Sequence, residues 1–166
     1  LQLEEIKKYI VPSYSNSINI ANDPIYIPNS VTSIDSNAFE YCTILNKIVI
    51  PNSVASINAN AFTECYAFSY IVIPDGVTSI AGRAFYRLYG ARFIDFTAST
   101  SIPALGYNNV FSECASDLQI RVPAALYDEW IAATNWSTVE GYGTITWAKI
   151  EGSIYENAYA DGTPIE

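Results

Sequence analysis

Apolar positions in this chain recur with one long period laid over short local ones. The stretch Ile27-Pro28-Asn29-Ser30-Val31-Thr32-Ser33-Ile34 is followed by Ile50-Pro51-Asn52-Ser53-Val54-Ala55-Ser56-Ile57 and Ile73-Pro74-Asp75-Gly76-Val77-Thr78-Ser79-Ile80. Each copy starts 23 residues after the last, and Ala38-Phe39, Ala61-Phe62 and Ala84-Phe85 keep the same step. A period this short predicts a solenoid, because one coil cannot bury its own apolar side and stacked copies cover it.

Within the second copy, Ile48-Val49-Ile50 is short, β-branched and stopped by Pro51, which predicts a strand ending there. Asn52-Ser53 reads as a turn. Val54 and Ile57 then run back across the coil with both side chains inward, and a brief helical turn buries Ala61, Phe62 and Cys65. The fourth coil keeps Ala91, Ile94 and Phe96 in step, but Phe111 lies 26 residues past Phe85. An insertion of about three residues is therefore expected in the loop 97–109, where Pro103 and Gly106 break regular structure.

The fifth unit, Leu118-Gln119-Ile120-Arg121-Val122-Pro123, restores the strand and its proline. A helical pattern over 124–134 follows, with Leu126, Tyr127, Trp130 and Ile131 on one face and Asn135 as a C-terminal stop. Together with the large plug Trp136 it reads as a terminal cap. Residues 141–150 alternate weakly and predict a strand around Thr144-Ile145-Thr146-Trp147. The organisation expected is a flanking or capping segment at 1–24, repeats over 25–117, a terminal repeat and cap helix over 118–139, and a strand and tail over 140–166.

Composition narrows the functional classes. The chain is 50% apolar but only 15% charged, with 17 acidic and 8 basic residues giving a net charge of −9. Thinly spread Lys and Arg make nucleic acid and anionic membrane surfaces poor partners. No run of 18 apolar residues is present, so no membrane insertion is expected. The start at Leu1 and the absence of Met predict a processed or truncated form whose leader has been removed. Cys42 and Cys65 hold equivalent positions 23 apart, and the third coil has Leu88 there, so they read as buried packing thiols. A Cys42–Cys65 bridge is the minority alternative. With no His and no Cys-x-x-Cys, neither a metal site nor a cofactor is expected.

The pattern Ile-Pro-x-x-Val-x-x-Ile-x-x-x-Ala-Phe-x-x-Cys at this spacing resembles the bacterial surface antigen (BspA-type) leucine-rich repeat family, over about residues 25–136. The closing unit from Val122-Pro123 to Asn135-Trp136 resembles the cap that ends such arrays. The resemblance implies an α/β leucine-rich-repeat solenoid. Its coils would be right-handed, with a short-stranded parallel sheet on one side, short helical turns on the other and a helical C-terminal cap. It also implies a secreted or cell-surface setting, and adhesive roles with protein partners on host or neighbouring cells. It supplies no catalytic residues.

Chemistry is hard to place in this sequence. Without His, neither a Ser–His–Asp nor a Cys–His arrangement is possible. Glu113, Asp117, Asp128 and Glu129 include near neighbours, but Asp128-Glu129 falls on the polar side of the cap helix, where charge is the default. Gly76, Gly82 and Gly90 sit at turn-like positions rather than in a phosphate loop. Asn135-Trp136-Ser137 matches a glycosylation acceptor, but Asn at a helix end explains it more simply.

The candidate working surface is the strand face turned away from the core. If Ile48 and Ile50 point inward, then Tyr26, Lys47, Val49, Tyr70, Val72, Phe93, Asp95, Gln119 and Arg121 point outward. Stacking sets them in columns about 4.8 Å apart. An apolar stripe flanked by charge marks a binding site for a protein or glycan. The competing expectation is a structural spacer without a ligand, whose strands carry β-branched and aromatic residues only because strands select them.

Overall fold

The computed structural model describes residues 24–139 and 145–151. The expected capping segment at 1–24 lies almost wholly outside the described residues, as does the tail beyond 151. Each of the first four described coils contributes two short strands. These are β1 (Ile25–Tyr26) and β2 (Ser33–Ile34), β3 (Ile48–Val49) and β4 (Ser56–Ile57), β5 (Tyr70–Val72) and β6 (Ser79–Ile80), and β7 (Phe93–Asp95) and β8 (Ala104–Leu105). The fifth coil has β9 (Gln119–Pro123), a 3₁₀ turn (Ala124–Leu126) and helix α1 (Tyr127–Ala132), and β10 (Thr146–Ile150) follows.

All pairing is parallel. The expected sheet forms a first ladder in two parts, β1–β3 and β5–β7–β9–β10. A second ladder, β2–β4–β6–β8, runs unbroken through the coils. There the Val-x-x-Ile stretches pair in register, Ile34 beside Ile57, Ile57 beside Ile80, and Ile80 beside Leu105. Between the ladders each proline opens a reverse turn, the N–H of Val31, Val54 and Val77 donating to Pro28, Pro51 and Pro74.

The interior is a set of like-on-like columns. Ile27, Ile50, Ile73, Phe96 and Val122 are all buried, as are Phe39, Phe62, Phe85 and Phe111. The Phe rings stack nearly coplanar at centroid distances of 5.1, 5.4 and 5.6 Å, because the coil repeat matches ring-stacking distance. One buried column thus runs through four coils, and each ring covers its neighbour.

Where brief helical turns were expected, chained reverse turns stand instead. The N–H groups of Ala38, Glu40 and Cys42 donate three residues back, to Asp35, Asn37 and Phe39. Left-handed residues punctuate them at Asn37 and Tyr41, Asn60 and Glu64, and Arg83 and Arg87, with φ between 57° and 62°. A left-handed residue ends any helix, and it frees alternate amides to face the neighbouring coil. The N–H groups of Asn37, Phe39 and Tyr41 donate to Ala59, Ala61 and Thr63; those of Asn60, Phe62 and Glu64 donate to Gly82, Ala84 and Tyr86. Phe85 and Arg87 continue the series to Val110 and Ser112. This turn edge is a third seam holding coil to coil.

The insertion is split. Ser79 pairs with Ala104, a step of 25, while Phe85 donates to Val110 where Phe62 donates to Ala84. Two extra residues therefore precede β8 and a third follows it.

Helix α1 lies within the stretch predicted for it and buries Trp130, while Ile131 remains exposed. Because β10 pairs with β9 beyond it, the first ladder continues past the helix rather than ending there. Among the described residues the second ladder ends at β8, and side chains bond carbonyls there. Trp136 Nε1 donates to the Pro103 carbonyl at 2.7 Å, and Asn135 Nδ2 donates to the Leu105 carbonyl at 2.7 Å. Trp130, Trp136, Phe96 and Phe111 pack around that end.

Candidate binding surface

The strand face is built by the first ladder, and its side chains divide into three groups. Tyr26 and Lys47 are exposed; Val49, Tyr70, Phe93 and Arg121 are half-buried. Val72 and Asp95, expected to point into solvent, are buried at 7% and 0% exposure. Asp95 is drawn back onto its own chain: Oδ1 accepts from the Thr97 N–H at 2.9 Å and from Thr97 Oγ1 at 2.6 Å. Val72 stands beside it in register. Both therefore leave the candidate surface.

What remains is centred on Phe93. Tyr70 stacks on one side at 5.2 Å and 14° between ring planes. The Arg121 guanidinium lies 3.7 Å from the Phe93 ring centroid, a cation–π contact, while its Nε donates to Gln119 Oε1 at 2.7 Å. Parallel pairing of β5, β7 and β9 places Tyr70, Phe93 and Gln119 in one row and Val72, Asp95 and Arg121 in the next. Tyr70 and Phe93 converge because coil stacking repeats one outward position, and Arg121 reaches the Phe93 ring from the next row.

A second polar surface, on the turn edge, was not anticipated. Glu64, Arg87 and Glu113 occupy one column, and Arg87 bridges the two carboxylates, Nη1 to Glu64 at 2.9 Å and Nε to Glu113 at 2.8 Å. Tyr66 donates to Glu64, and Tyr86 donates to Glu113 at 2.6 Å. The tyrosine hydrogen bonds, and then Arg87, hold both carboxyl groups below the usual range. Conversely, the Glu64 bond pushes Tyr66 up to about 12. The sequence signal was present as alternating charge at one repeat position, but it is readable only once the turn edge is known to be a seam. Tyr66 and Tyr89 also stack here, at 5.3 Å.

No group of three or more His, Cys, Asp or Glu residues able to hold a metal occurs among the described residues. The cysteines are free. Cys65 and Cys114 donate to the carbonyls of Phe39 and Phe85 at 3.0 and 2.9 Å, and burial pushes Cys114 up to about 12 and Cys65 higher still. Thiols held this far from ionisation are poor nucleophiles. No helix of the described residues is long and apolar enough to cross a membrane.

The chain resembles a leucine-rich repeat protein from Bacteroides ovatus in fold, with a TM-score of 0.56 at 21% identity. That likeness covers 76% of this chain but 30% of the other, so the chain spans about a third of the solved relative's length. A leucine-rich cell surface protein from Faecalibacterium prausnitzii aligns over 77% of this chain and 60% of its own, at 15% identity and a TM-score of 0.27. None of the curated proteins matches the sequence. The BspA type leucine rich repeat region matches residues 4–128 in six copies, beginning before the first intact motif. Matched over most of its length and built of stacked parallel coils, this chain belongs to the BspA-type leucine-rich repeat family.

Proposed function

We propose that this chain is a non-enzymatic interaction module of an exported or surface-displayed protein, contacting a protein or glycan through the strand face. The observation that carries the reading is the arranged set Tyr70–Phe93–Arg121, held by stacking at 5.2 and 3.7 Å on a parallel ladder. Side chains fixed before contact lose little rotamer freedom on binding, and Tyr and Arg dominate the energetics of interfaces. Tyr26 and Lys47 extend the surface toward the N-terminal coils. The family and fold are typically non-enzymatic; Cys65 and Cys114 are buried, and Glu64 and Glu113 are paired with Arg87.

The second reading, a spacer that displays other modules, draws support from the burial of Val72 and Asp95, which shortens the available face. One experiment separates the two. Tyr26, Tyr70 and Phe93 are replaced together by Ser, folding is checked by circular dichroism, and adhesion to host-cell layers is measured. The interaction reading expects adhesion to fall about tenfold or more. Unchanged adhesion by the folded variant removes it and leaves the spacer.

A further inference from the structure

Charge is sorted by surface in this molecule. The chain carries 17 acidic and 8 basic residues. Yet Asp95 is the one carboxylate within the described strands of the first ladder, and it is fully buried with Oδ1 bonded to Thr97. Other carboxylates stand elsewhere: Glu64 and Glu113 grip Arg87 on the turn edge, and Asp75 accepts from Thr100 beyond β5. The strand face instead presents Lys47 and Arg121.

Arg121 is more than a stray cation. Its guanidinium is laid against Phe93 and its Nε is fixed on Gln119, so the group is already immobilised. Among the described residues, no carboxylate lies within ion-pair distance of it, in contrast to Arg87. Its two terminal nitrogens therefore form a fork of the geometry that a carboxylate accepts in bidentate fashion. Lys47 stands about three coil steps away, on the order of 14 Å at the usual strand spacing, with the rings of Tyr70 and Phe93 between.

Resting on the strand-face reading above, we infer that the partner is a protein segment bearing carboxylates, one of which docks on Arg121 and another near Lys47. A polypeptide fits better than an anionic polysaccharide for a structural reason. Tyr70 covers one side of Phe93 and Arg121 the other, so that ring offers no open face on which a sugar would stack. The exposed ring of Tyr26 and the half-buried Val49 beside it offer apolar contact to aliphatic side chains of a peptide between its two carboxylates. The net charge of −9 opposes an acidic partner at long range, but salt screens such repulsion beyond about 8–10 Å while contacts at Arg121 survive.

The test uses the full chain and three probes: a labelled synthetic peptide of alternating Glu and Leu, poly-L-lysine, and the polyuronate alginate. The acidic peptide should bind, and Arg121→Gln should weaken it about tenfold, with Lys47→Gln giving a smaller loss. Arg83→Gln, on the turn edge, should leave binding unchanged. Lys47 is exposed, so K47Q keeps the test valid even if R121Q folds poorly. Absence of peptide binding, equal binding by wild type, R121Q and K47Q, or a preference for poly-L-lysine would overturn the inference. Tighter binding of alginate than of the peptide would overturn the choice of a protein. If adhesion fails in the triple Ser variant while the peptide does not bind, the strand face stands and the charge assignment alone falls.

Discussion

The strand face and the turn edge are both seams between coils, yet they hold the coils together by different means. In the first ladder the amides face both ways: Ile73 donates forward to Asp95, while Arg92 donates back to Ser69. On the turn edge the inter-coil amides of Asn37, Phe39 and Tyr41, and their equivalents in later coils, all donate forward. The strand face carries no ion pair at Arg121 among the described residues, whereas the turn edge spends Arg87, Glu64 and Glu113 on one another. The difference separates a surface whose Arg121 has no ion pair among the described residues from one whose charged groups are paired with one another.

The largest effect that would test this division lies at the buried Phe column behind the turn edge. Phe62 is fully buried and stacked on both Phe39 and Phe85, so Phe62→Ala should cost about 3–5 kcal/mol in urea unfolding. A loss below about 1 kcal/mol would show that the turn edge does not share in holding the coils. Next in size is the left-handed backbone. Asn60 has φ 57°, and Asn60→Ala should cost about 1 kcal/mol in the same assay, with Asn60→Gly nearer neutral. Equal losses for both variants would show that the side chain matters there rather than the backbone.

The smallest effect concerns acid. Glu64 and Glu113 have folded values below the unfolded one of about 4.3. Their stabilisation is therefore complete above that pH and is lost as pH falls through the folded values. Urea midpoints compared at neutral pH and about pH 3 should fall less for the Glu64→Gln/Glu113→Gln double variant than for the parent. An identical fall would mean that the network contributes nothing and that the two surfaces differ only in appearance.

The columns Ile27–Ile50–Ile73 and Phe39–Phe62–Phe85 were legible in the sequence because the step of 23 repeats chemistry as well as spacing. The second ladder was only half legible. Val54 and Ile57 were placed inward correctly, but Ser56-Ile57 is too short for alternation to announce a strand. The turn edge was hidden for a different reason. Asn37 and Asn60 hint at left-handed backbone, but Tyr41 and Arg87 adopt it with their N–H groups bonded to the next coil, and Arg83 with its carbonyl accepting from Thr63 Oγ1, contacts no local rule reports. On the strand face, in–out alternation assigned Asp95 a direction but not a fate. The Asp-x-Thr spacing that folds its carboxylate back onto Thr97 was the overlooked sign.

The forward-only amides of the turn edge also give the described coils that share it two unlike rims, one bearing donors and the other acceptors. A further coil docks there only in the same orientation as its predecessors, as in-frame duplication of a whole unit supplies. Two such stacks brought rim to identical rim would set donors against donors or carbonyls against carbonyls. Along this seam, growth is therefore head to tail, and a two-fold symmetric end-to-end union is closed to it.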